Sequence, residues 1–315
     1  MELIWKQLRG RFIEDFQLPI CCVEDPYFDE RIHMLEEECG AATKYLTLME
    51  TIRDFFNGNP QAYLEHRHAV KDKILNHILQ SEGYKAMLAD KSPLDDYKPI
   101  VASRELYTED QDGGLFISYD MIKANFQALR YIDPSIVLDC GTWEEFVSRF
   151  TDIELLSSAK QVRQEVLGKL NGKRLSAIEK RFSNEFAKVL MERLGDKFTL
   201  FSIKTDEIII KFNGTEKEFD KVKVENEEFN GFKFRANKFK LHLREFRRAS
   251  SEKLIKIYQK EDFLDAHKRI LKCLPATYYP QVYKLLNGMK INDSDRVFNY
   301  DHELCQFKYP IELKK

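Results

Sequence analysis

The sequence predicts an α+β fold, with a helical N-terminal part followed by an antiparallel sheet that carries inserted helices. Three features lead to this. Residues 28–90 repeat apolar side chains at three- and four-residue intervals, short apolar β-prone runs gather after residue 197, and strands cluster instead of alternating with helices. The 315-residue length suggests two domains, or one large domain with an appendage. The expected division is a helical region 1–92, a linker or long loop 93–114 and an α+β domain 115–315 with a helical insertion at 142–195.

The first sixteen residues carry charges inside their apolar stretch and lack a small-residue cleavage site, so no secretory signal is expected. Ile32, Leu35, Ala42, Tyr45, Leu46, Leu48, Met49, Ile52 and Phe56 fit a helix that NGNP at 57–60 stops and restarts. Tyr63, Val70, Ile74, Ile78 and Leu79 fit the next helix. LFISYD at 115–120 reads as a buried strand ending in a carboxylate, and MIKANFQALRYID as the helix or turn after it, broken by DPS at 133–135. Helical patterns return as TWEEFVSRF, ELLSSAKQVRQEVLGKL and KRLSAIEKRFSNEFAKVLMERL, the last two divided by Asn171-Gly172. Thr142 and Glu145 suit a capping box, with Trp143 packed beneath it. FTLFSIK at 198–204 and TDEIIIKF at 205–212 read as paired strands, with Lys204, Thr205 and Asp206 in the turn. FDKVKVE and GFKFRANKFKLHLREF continue the β-rich region, then YYPQVYKLLNG suggests a helix and DRVFNY a closing strand.

With 43% hydrophobic and 32% charged residues, the composition excludes a disordered chain, a collagen repeat and a coiled-coil rod. No apolar run approaches the ~20 residues of a membrane span, so no membrane association is expected. The six cysteines form no CxxC pair and a core this large needs no staples, which favours reduced thiols in the cytoplasm or another reducing compartment. His66 and His68 face different sides of a helix, and the zinc, P-loop, dinucleotide and hydrolase-elbow motifs are all absent.

The overall charge of −2 hides two basic segments: residues 159–195 carry a net +5 and residues 231–260 a net +8. Such segments suit a polyanion, either nucleic acid or a nucleoside triphosphate. In the second segment, Lys233, Arg235, Lys238, Lys240, Arg244, Arg247 and Arg248 are the candidate nucleic-acid contacts. The interleaved Phe232, Phe234, Phe239 and Phe246 fit a half-buried strand better than a base-stacking platform. Asp120 ends one apolar strand, and Asp206 with Glu207 opens another. Carboxylates converging from neighbouring strands are what two-metal phosphoryl transfer needs, and a basic helix beside them would hold the triphosphate. Each acid also has a plainer role open to it: Asp120 as the N-cap of a helix starting at Met121, and Asp206 as a turn residue.

GLFISYDMIKANFQALR resembles motif A of the palm of template-dependent, polymerase-I-type nucleic-acid polymerases, and SIKTDEIIIKF resembles their motif C hairpin. The resemblance covers roughly residues 115–212. Thr205 stands where a histidine often precedes the acidic pair, and the fingers segment lacks the usual aromatic-glycine pair. The resemblance implies a palm-like sheet and a nucleotidyltransferase using Mg²⁺ or Mn²⁺. Asp120 and Asp206 would hold metal with Glu207 assisting, Asn125 or Phe126 would face the sugar, and Arg163, Lys169, Lys173 and Arg174 would bind phosphates. A nuclease on the same acids, a non-catalytic nucleic-acid-binding protein and a protein scaffold are the alternatives.

Overall fold

The computed structural model describes residues 2–90, 99–170, 172–248, 251–265, 269–301 and 303–314. Residues 93–98 of the expected linker and Asn171 of the expected turn lie outside them. The N-terminal part is helical, as its periodicity predicts: Glu2–Phe16 (α1), Tyr27–Met34 (α2), Glu36–Cys39 (α3), Ala41–Phe56 (α4), Pro60–Gln80 (α5) and Glu82–Ala89 (α6). Asn59 caps α5 through its side chain and Pro60 takes the first helical position, where a missing N–H costs nothing. After Leu115–Met121 (β1) come Ala124–Ile132 (α7), Trp143–Val147 (α8), Glu154–Ser158 (α9), Lys160–Leu167 (α10) and Gly172–Arg193 (α11). The hairpin Phe198–Ile203 (β2) and Glu207–Phe212 (β3) follows, then Glu216–Asp220 (α12), Glu227–Phe229 (β4), Phe232–Arg248 (β5), Ser251–Asp262 (β6) and Arg269–Lys272 (β7). Tyr279–Leu286 (α13), Val297–Tyr300 (β8), Glu303–Gln306 (β9) and Ile311–Leu313 (β10) close the chain.

The main sheet runs β2-β3-β1-β5-β6-β7, antiparallel throughout, with β4 and β10 added along β5. Strand β1 lies inside it, which is why LFISY is apolar at both parities. One face carries Leu115, Ile117, Tyr119 and Met121 and is covered by α11. Phe182 stacks on Phe232 (4.3 Å between centroids), and Phe186 packs on Phe234 (4.5 Å) and Tyr119 (5.5 Å). This core continues into the N-terminal helices, so one buried cluster includes Leu8, Phe12, Ile74, Trp143, Phe186 and Ile208. The opposite face carries a smaller cluster of Leu106, Phe116, Phe201, Ile209, Phe239, Leu241 and Tyr258. The segment from Ile100 to Gly114 therefore packs against the sheet: Ala102 accepts from Ile203 N–H (2.8 Å) and Leu106 is buried.

Several local expectations change. FDKVKVE is not a strand: Thr215 and Glu218 form a reciprocal capping box that commits 216–220 to a helix. The single helix read through ELLSSAKQVRQEVLGKL divides at Ala159. Ser157 and Ser158 return their hydroxyls to the carbonyls of Glu154 and Leu155, which offers the backbone an alternative to continuing. Helix α1 falls within the expected helical region, although no periodicity marked its bounds, because it buries only Leu8, Phe12 and Asp15 and shows no clean apolar stripe. Thr142 does cap α8 over a buried Trp143, but Glu145 accepts from the Gly141 N–H (2.8 Å). All four phenylalanines of the second basic segment are buried, as the half-buried-strand pattern requires.

Candidate active site

Antiparallel register sets Asp120 of β1 between Glu207 of β3 and Arg235 of β5. Opposed residues in antiparallel strands share a face, so the three side chains form one row at the end of the sheet. Asp120 is not an N-cap: β1 continues to Met121, and α7 starts three residues later behind Lys123, which adopts a left-handed φ of 52°. Asp206 occupies the turn between β2 and β3, and that turn is fixed from three sides. Met121 N–H donates to the Asp206 carbonyl (2.7 Å), the Ser183 hydroxyl of α11 donates to the Thr205 carbonyl (3.1 Å), and Lys204 N–H closes the hairpin on the Glu207 carbonyl (2.8 Å). The backbone thus delivers Asp206 to the end of β1.

Asp120, Asp206 and Arg235 form one side of a cleft of about 590 Å³. Its floor is the segment from Met121 to Asn125. It is also lined by α10 through Lys160, Arg163, Gln164 and Leu167, and by Gly168 just past the helix. Lys160 and Arg163 share this face because they are three residues apart on a helix. Burial, reinforced by the charges of Asp206 and Glu207, pushes the Asp120 carboxyl up to about 6 against the pull of Arg235 and Lys160. Burial and the neighbouring Arg163 lower Lys160, and burial lowers Arg163. Lys260 lies nearby on β6 with its ammonium 4.1 Å from the Phe239 ring centroid. Burial lowers it to about 8, although Glu207 and Asp120 favour its charge.

Of the four expected phosphate binders, only Arg163 lines the cleft. Lys169 and Lys173 are exposed and not among its lining residues, and Arg174 reaches back to Asp90. Asn125 lines the cleft, whereas Phe126 packs in the core against Trp143 and Phe146. Among the expected nucleic-acid contacts, Lys233, Arg235 and Arg247 are exposed. Lys238 is buried and donates to the carbonyls of Asp220 and Val222, Lys240 pairs with Glu216, Arg244 donates to Gln259, and Arg248 lies over Tyr278. Lys160 and Lys123 line the cleft without having been singled out. The i, i+3 spacing of Lys160 to Arg163 was the signal for the first; the second depends on a backbone reversal the sequence does not announce.

Glu179 of α11 was also missed. It is 3% exposed, its Oε1 has no hydrogen-bond partner, and burial together with Asp206 raises its carboxyl to about 7. A folded pKa above the unfolded value means that stability is lost as pH rises from the ordinary carboxylate range through about 7. Glu179→Gln is therefore expected to melt higher than the parent at pH 8 and to flatten the fall in Tm between pH 5 and 7. Calorimetry across that range checks it, and an unchanged slope would show that Glu179 finds a counter-charge.

Among the described residues no group of three or more His, Cys, Asp or Glu side chains is arranged to hold a metal ion. Asp120 and Asp206 nevertheless present a pair of hard oxygen ligands to the cleft, and their mutual repulsion is what a divalent cation relieves. All six cysteines are free, and no helix among the described residues is long and apolar enough to cross a membrane. No family model, curated protein or solved structure matches this chain.

Proposed function

We propose that this chain is a Mg²⁺- or Mn²⁺-dependent nucleotidyltransferase that acts on nucleic acid. One observation carries the reading: the strand carboxylate Asp120 and the turn carboxylate Asp206 line one cleft together with Lys160 and Arg163. Supporting it, the helices α7–α11 lie between β1 and β2 while β1 sits between β3 and β5, an arrangement compatible with the palm resemblance. Asp120 and Asp206 would hold the metal, with Glu207 beside Asp120 in the row. The cation would neutralise the triphosphate and make a strand-terminal hydroxyl more acidic.

The chain's own groups do the rest. Lys160 and Arg163 bind phosphate oxygens. The first turn of α7, whose Lys123 cap supplies no side-chain acceptor, offers backbone N–H groups to the same anion. Asn125 lies where the sugar would sit, and Arg235 screens Asp120 and meets the nucleic-acid backbone. The strand hydroxyl attacks the α-phosphorus as its proton passes to water, the new O–P bond replaces the bond to the β-phosphate, and pyrophosphate leaves. Binding by the 231–260 segment alone is the weaker reading, because Lys238, Lys240 and Arg244 are already engaged within the fold.

The test exposes labelled primed and unprimed strands to ribo- and deoxyribonucleotides in Mg²⁺, Mn²⁺ or EDTA. Extension that EDTA and Asp206→Asn both remove is the expected result. Shortening of the strand would make the chain a nuclease. Salt-sensitive retention without chemistry would make it a binding protein.

A further inference from the structure

Helix α10 has two working faces. Lys160, Arg163 and Leu167 line the cleft, and at about 100° per residue Glu165 points roughly the opposite way. There its carboxylate accepts from Lys71 Nζ (2.8 Å) and Arg67 Nη2 (3.3 Å) of α5 and from Arg11 Nη1 (3.2 Å) of α1. Arg67 is itself held by Asp15 of α1 through two bonds of 2.9 and 2.5 Å, and both side chains are at most 5% exposed. Burial opposes the charge on Glu165, but the hydrogen bonds from Lys71 and Arg67 prevail and hold it at about 2. A second tie joins Gln17, just past α1, to Gln164 on the cleft wall (2.9 Å). Helix α10 has only eight residues and no side-chain N-cap. Such a short helix derives its placement from tertiary contacts and not from its own propensity.

We infer that Glu165 is a positioning residue: by anchoring α10 to the N-terminal helices α1 and α5, it sets where Lys160 and Arg163 meet the nucleotide's phosphates. This rests on the nucleotidyltransferase reading. It gives the N-terminal helices a part in substrate binding although they supply no side chain to the cleft.

The full-length chain with Glu165→Gln is compared with the parent at a temperature where both are folded. A fluorescent nucleoside triphosphate reports Kd in Mg²⁺, and strand extension reports KM and kcat. The variant is expected to raise Kd and KM about tenfold, the usual scale for losing an outer-shell orienting contact, with kcat changed by less than about twofold. Amides at 160–168 should exchange faster. Lys71→Met, which leaves the Asp15–Arg67 pair in place, should weaken nucleotide binding less, and adding it to Glu165→Gln should do little more, because both cut one tie. A lower Tm with unchanged Kd and KM would reduce Glu165 to a purely structural role and overturn the inference. If the parent neither binds nor incorporates nucleotide, the nucleotidyltransferase reading itself fails, and the inference with it.

Discussion

Asp120→Asn is expected to keep the chain folded, raise its melting temperature by roughly 2–4 °C and lower metal-dependent incorporation by at least ~10²–10³. The two effects share a cause. Asp120 is half-buried beside Asp206 and Glu207, and Arg235 and Lys160 offset only part of that repulsion. A neutral amide removes the repulsion and also removes the charge that would hold a cation. The sign follows from linkage: the carboxyl's folded pKa lies above its unfolded value, so its stability cost builds as pH rises from the ordinary carboxylate range to about 6 and is complete above that. The gain in Tm should be full at pH 7.5 and nearly gone at pH 4. Differential scanning calorimetry and the extension assay on one preparation check both halves. Undiminished incorporation would remove Asp120 from the chemistry, and a fall in Tm would mean its charge is structurally satisfied.

Arg67→Ala should produce the largest loss of stability. Asp15 would stay buried with its charge unpaired, and Glu165 would lose one of its three cationic partners. Breaking a buried pair in this way costs about 3–5 kcal/mol, which for a chain of this size lowers Tm by about 5–8 °C. The deficit should shrink in acid, where Asp15 is neutral. A change of less than about 1 kcal/mol in urea unfolding would show that water reaches the pair and screens it.

Much of the strand and helix framework could be read directly. LFISYD is apolar at both parities because β1 is covered on both faces, and the β2–β3 hairpin announced itself as two β-prone runs around Lys204–Asp206. Thr142 and Asn59 acted as caps because their side chains bond the adjacent backbone. That Asp120 and Asp206 lie close to strand termini was legible too, and they line one cleft. The basic members were legible only in part: Arg163 and Arg235 had been singled out, Lys123 and Lys160 had not. Lys173 and Arg174 belong to the same charged segment as Arg163, yet helix phase and the break at Ala159 send only Arg163 and Lys160 into the cleft.

The amino-acid sequence alone determined the α+β class, the positions of the central strands and the two acidic strand ends, because these follow from periodicity and turn chemistry acting over a few residues. Only the tertiary structure decided which charges meet. It placed Asp206 at the end of β1 through a backbone hydrogen bond, sent Lys238 inward to two carbonyls, and tied α10 to helices about a hundred and more residues earlier in the chain. A charge's partner is set by distances between segments remote in sequence, and a one-dimensional pattern carries no information about those distances.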